Sequence, residues 1–192
     1  MAEILLFHHA HGLTTGMRDL AGTFERAGHT VHLPDLYEGR VFDSTDAGVA
    51  HARDTGFDVV LERGVRAADG LPDGLVYAGF SLGVMAAQRL AQTRPGARGA
   101  LLVAACVPPA EFGGDWPAGV PVQIHGKESD PIFAGDGDLA AAQALVASAP
   151  DAELFLYPGE EHIFTEPGLS EYDAAATAAF TERALAFLDR VG

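Results

Sequence analysis

Short unbroken apolar runs alternate along the chain with longer stretches whose apolar residues recur at helical spacing. Ile4-Leu5-Leu6-Phe7, Leu75-Val76-Tyr77-Ala78 and Ala100 to Ala105 are such runs, each bounded by polar or turn-forming residues. Runs of this kind suit strands covered on both faces. Thr30–Leu33, Val120–Ile124 and Ala152–Tyr157 are read as three further strands. The intervening stretches predict helices over Thr15–Ala27, Leu82–Thr93, Leu139–Ser148 and Glu171–Arg190. Ala47 to Arg66 reads as mainly helical with a break near Gly56. Strand alternating with helix implies a mostly parallel, doubly wound sheet flanked by helices on both faces. No linker or repeat divides the chain, so residues 1–192 are expected to form one domain.

Gly79-Phe80-Ser81-Leu82-Gly83 sits where one of these strands gives way to a helix. This is the setting of the nucleophile elbow, in which a serine is held on a sharp turn above the sheet. The flanking glycines are required because strand and helix approach too closely for side chains. A serine hydroxyl is a poor nucleophile at neutral pH and needs a base. In this arrangement the acid and the histidine follow the serine in that order. Asp130 follows the Val120–Ile124 strand and His162 follows the Ala152–Tyr157 strand. Both loops leave the carboxyl edge of the sheet, where Ser81 is placed. Asp136 and Asp138 are nearby competitors of Asp130, further from the strand end. The backbone N–H of Leu82 and, by position, that of Ala10 are the expected oxyanion donors.

These motifs resemble those of the dienelactone hydrolase family over nearly the whole chain. Gly79–Gly83 is similar to its elbow, and Pro34-Asp35-Leu36-Tyr37 to a segment after its second strand. Gly126–Pro131 resembles its acid loop, and Gly159-Glu160-Glu161-His162-Ile163-Phe164 its histidine loop. The resemblance implies an α/β-hydrolase fold without a cap domain and a triad of Ser81, Asp130 and His162. The founding members have a cysteine at the position of Ser81, a glutamate at that of His9, and a carboxylate-binding arginine at that of Glu166. An acidic Glu166 would repel a dienelactone carboxylate, so scaffold and triad carry over and that substrate does not. A serine dispenses with the glutamate, because the histidine takes its proton directly.

The composition narrows the partners. The formal net charge of −15 disfavours nucleic acid and anionic membranes. One cysteine, Cys106, excludes an internal disulfide and suits a cytoplasmic enzyme. The N-terminal residues lack the features of a signal peptide, and no apolar run is long enough for a membrane span. No cofactor is expected. His8, His9 and His11 invite a metal-dependent reading, but adjacent loop histidines point apart, and the expected metal is none. His9, Phe112 and Trp116 are candidate substrate contacts at the mouth of the site. The expected activity is cleavage of a small ester or lactone. The rival reading is a non-catalytic small-molecule binder on the same fold.

Overall fold

Successive residues of a strand face opposite sides of the sheet, so one buried strand feeds two cores. The computed structural model describes all 192 residues. Its first strand, β1 (Glu3–Phe7), sends Leu5 and Phe7 into one hydrophobic core and Ile4 and Leu6 into the other. The chain continues through α1 (Thr15–Arg26), β2 (Thr30–His32), α2 (Thr45–Thr55), α3 (Phe57–Arg66), β3 (Val76–Phe80) and α4 (Val84–Thr93). Next come β4 (Gly99–Val103), β5 (Val122–Lys127), α5 (Asp138–Ser148), β6 (Ala152–Tyr157) and α6 (Ala174–Val191). The strands form one six-stranded sheet in the order β2-β1-β3-β4-β5-β6, every pairing parallel. One core packs α3, α4 and α5 against the sheet through Val60, Ala86, Leu90 and Leu145. The other packs α1 and α6 through Met17, Phe24, Phe180 and Phe187. No helix is long and apolar enough to cross a membrane.

The order places β1 between β2 and β3, so the chain leaves β1 and β3 in opposite directions along the sheet. The crevice at their carboxyl ends is the topological switch point at which open α/β sheets bind ligands. The loop after β1 and the turn after β3 therefore meet there.

The break expected near Gly56 is present, while other boundaries differ from expectation for local reasons. The break in the long second helical segment falls at Gly56, whose φ of 96° is a backbone shape that favours glycine. β5 runs on through Gly126 and Lys127, because β6 continues to pair with it as far as Tyr157. The last helix starts at Ala174, where the Asp173 carboxylate accepts from the N–H groups of Ala175 and Ala176. The loop at 106–119 contains a short 3₁₀ turn at Pro109–Phe112.

The tightest approach is between β1 and the turn after β3. A Cβ at Gly83 would lie 2.6 Å from the carbonyl oxygens of both Phe7 and His8. Gly83→Ala should therefore cost about 3 kcal/mol or more in urea unfolding, since rigid backbone has to move. Gly114→Ala, where the added carbon meets open space, should leave the midpoint nearly unchanged.

Candidate active site

β3 ends at Phe80, and Ser81 follows with φ 47°, the left-handed region that L-residues other than Gly, Asn and Asp seldom adopt. The surrounding backbone holds it there. A Cβ at Gly79 would lie 2.5 Å from the Gly83 carbonyl oxygen, so both glycines of the elbow are needed for the turn to close. A 3₁₀ turn at Ser81–Gly83 then leads into α4. Ser81 remains partly accessible while the strand beneath it is buried.

The three loops of the carboxyl edge bring Ser81, His162 and Asp130 together. Ser81 Oγ lies 2.8 Å from His162 Nε2, and His162 Nδ1 lies 2.6 Å from Asp130 Oδ2. A carboxylate only accepts, so Nδ1 carries the proton and Nε2 accepts from the serine hydroxyl. Asp130 is fully buried, and its second oxygen accepts from the Ile132 N–H at 2.9 Å. The competitors are disposed elsewhere. Asp138 Oδ1 accepts from the Cys106 N–H at 2.8 Å, and Asp136 is exposed.

Two buried charged groups hold the histidine loop, and neither stands out by motif. Lys127, the only lysine in the chain, is buried at the end of β5. Its Nζ donates to the Pro158 carbonyl at 2.7 Å and to Asp173 at the start of α6, and it lies 3.2 Å from the Glu161 carboxylate. Burial alone would lower its pKa; the Asp173 and Glu161 carboxylates more than offset this and keep it charged. A lone lysine at a strand end, among 27 acidic residues, is the sequence signal that points to such a role.

Glu166 is the second clamp. It accepts from Thr14 Oγ1 at 2.6 Å, from the Gly16 N–H at 3.1 Å and from His9 Nε2 at 3.2 Å. It thus ties the histidine loop to the first turn of α1 and to the loop after β1. Burial would raise its pKa, but these donors outweigh burial and hold the carboxyl below its usual range. Two of the three positions that depart from the founding members' pattern, His9 and Glu166, therefore bond to each other.

The three N-terminal histidines have separate internal partners. His8 donates from Nδ1 to the His9 carbonyl and accepts from the Leu36 N–H, which fixes it as neutral. Burial lowers its pKa to about 4. His11 bonds the Phe42 carbonyl and Thr45 Oγ1. His9 is fully buried, occupied by Glu166 and by the His11 N–H, and does not reach the cleft as a substrate contact. Burial lowers its pKa also.

A cleft of about 580 Å³ opens beside Ser81. Ala10 and Leu82, the expected oxyanion residues, lie along it with Ser81. Its walls come from Leu36 and from the helices α2, α3 and α4. Phe112 and Trp116, expected near the site, are not among the residues lining it. The Pro-rich loop turns away over α5, where Trp116 donates to the Val120 carbonyl at 2.7 Å and lines a separate cavity. Cys106, at the start of that loop, is buried and its thiol is pushed up to about 12.

A parallel six-stranded sheet with an elbow serine at its switch point and an aligned histidine and aspartate defines an α/β hydrolase. The chain matches the model of the dienelactone hydrolase family over residues 1–192 and belongs to that family. It is a hydrolase acting on ester bonds. No curated protein matches it. Among solved structures it is similar to a dienelactone hydrolase-like promiscuous phosphotriesterase, P91, from metagenomic libraries. The TM-score is 0.77 and the identity 18%, over 100% of this chain and 87% of the other. It is also similar to the dienelactone hydrolase from Anabaena variabilis, with TM-score 0.70, 19% identity and coverage of 100% and 87%. The esterase domain of a Rhodothermus marinus protein gives TM-score 0.63, 16% identity and coverage of 100% and 88%.

Two titrations at the site share one sign. A histidine kept neutral in the fold loses stability as pH falls below its ordinary 6.5, and for His8 this continues down to about 4. A carboxyl held below its ordinary 4.5 contributes fully above that pH and loses its contribution as pH falls through its lower folded value. The urea midpoint should therefore decline from pH 6.5 downward. Glu166→Gln should flatten only the limb below about pH 4.5, and an unaltered limb in that variant would remove Glu166 from the account.

Proposed function

We propose that the protein is a serine hydrolase that cleaves small carboxylic esters or lactones through an acyl-enzyme intermediate. The observation that carries this is the unbroken hydrogen-bonded chain from Ser81 Oγ through His162 to buried Asp130. Ser81 Oγ attacks the substrate carbonyl while Nε2 of His162 takes its proton. The negative charge that develops on the carbonyl oxygen is met by the N–H groups of Leu82 and Ala10, both beside Ser81 in the cleft. The tetrahedral species collapses as the ester C–O bond breaks, and His162 returns the proton to the departing alkoxide. Water, deprotonated by His162, then attacks the acyl group, restores the serine hydroxyl and releases the acid. Asp130 holds the His162 tautomer and stabilises the imidazolium formed in each half-reaction.

Lys127 and Glu166 act here as positioning residues. They touch neither Ser81 nor His162 directly, but they fix the ends of the segment that carries His162. The reading supposes no metal and no cofactor. The rival, a binder without chemistry, makes no use of a serine held in a strained conformation facing a base.

Ser81→Ala should lower kcat for p-nitrophenyl acetate by about 10⁴–10⁶ and abolish labelling by a fluorophosphonate. Asp130→Asn should cost about 10⁴ in kcat with the fold retained. Wild-type labelling of the Ser81→Ala protein would refute the assignment. Stoichiometric binding without hydrolysis across an ester panel would favour the binder.

A further inference from the structure

We propose that the cleft beside Ser81 is an acyl site for uncharged, short-to-medium aliphatic groups, a proposal that rests on Ser81 being the nucleophile. The cleft runs from Ser81 and Leu82 in the turn after β3 to Met85 and Ala86 in the first turn of α4. Val49, Phe57 and Leu61 of the α2–α3 pair form the facing wall. Nine of its eleven lining residues are hydrophobic, and none is a lysine or arginine. Its volume of about 580 Å³ falls within the roughly 300–1,000 Å³ of small-molecule sites. Val49, Leu61 and Met85 are only partly buried, so their apolar surface is available to a ligand.

Which half of the ester enters follows from the position of His162. The leaving oxygen must depart toward Nε2, which returns the proton to it. His162 does not line the cleft, whereas Leu82 and Ala10 do. The cleft therefore lies on the side of Ser81 away from the leaving group, and the acyl chain extends into it.

Charge selects against acids. The one ionisable side chain of the lining is Asp58, which is exposed and sits in the first turn of α3. The whole chain carries a formal charge of −15. A terminal carboxylate on the acyl group would meet a carboxylate and no cation, so the neutral acyl chain of the same length is preferred.

The test is a set of p-nitrophenyl esters, acetate, butanoate and hexanoate, with the carboxylated glutarate monoester beside them. kcat/KM should rise about tenfold or more at each two-methylene step, because each fully buried methylene contributes about fourfold. The glutarate monoester should fall at least about tenfold below hexanoate. Leu61→Trp and, independently, Val49→Trp should lower the hexanoate-to-acetate ratio, and Asp58→Lys should raise the glutarate-to-hexanoate ratio. In the converse series, acetate esters of ethanol, butanol and hexanol should show little gain. A flat acyl series, equal turnover of the glutarate monoester, or a gain that follows the alcohol would overturn the acyl site while fluorophosphonate labelling of Ser81 upholds the nucleophile. Absence of both labelling and turnover would overturn the nucleophile, and the acyl site with it.

Discussion

The carbonyl oxygens at the end of β1 press so closely on the turn after β3 that only hydrogen fits at Gly83. This contact sets the depth at which α4 meets the sheet. It also makes the loop after β1 and the elbow neighbours, so Ala10, Ser81 and Leu82 line one cleft. Ser81 keeps a φ of 47° because the strand before it and the helix after it are both fixed by buried packing. Strain of this sort costs of order 1–3 kcal/mol and survives only when the surroundings over-determine it. The two hydrophobic cores on either side of the sheet provide that surplus.

His162 faces a different problem, because it lies on a loop and not on an element end. Its segment is held from both sides by charge. Lys127 grips Pro158, Glu161 and the cap of α6, and Glu166 grips the first turn of α1 and His9. Each clamp joins segments distant in sequence. Each is buried enough that its partners cannot be replaced by water without loss. The catalytic geometry proposed for His162 thus depends on residues that never approach substrate.

The strands and the placement of Ser81, Asp130 and His162 beyond strand ends were legible because each is a local pattern. An apolar run, a pair of glycines around a serine and a histidine after a strand all declare themselves within a few residues. The clamps were barely legible: the lone lysine marks Lys127 as unusual, but Lys127 and Glu166 acquire meaning only from partners on other elements. Glu166 looks, in isolation, like a missing arginine; in the fold it has its own complement in His9. The aromatic pair Phe112 and Trp116 follows a strand that ends at the active edge, yet the Pro-rich loop folds back over α5. The walls of the cleft were invisible for a related reason. Val49, Leu61 and Met85 occupy ordinary amphipathic positions whose exposure is decided by how α2, α3 and α4 pack.

The break at Gly56 leaves α2 and α3 as a separate helical pair between β2 and β3. α3 crosses α4 closely, with Gly64 leaving room only for Ala86, while the serine, histidine and aspartate all come from loops at strand ends. The residues proposed for bond cleavage and most of the surface proposed to select the substrate are therefore built from different parts of the chain. On that proposal, substitutions along the helical pair would remodel preference by small increments while the strand ends stay as they are, so that a scaffold divided in this way would diversify without passing through inactive forms.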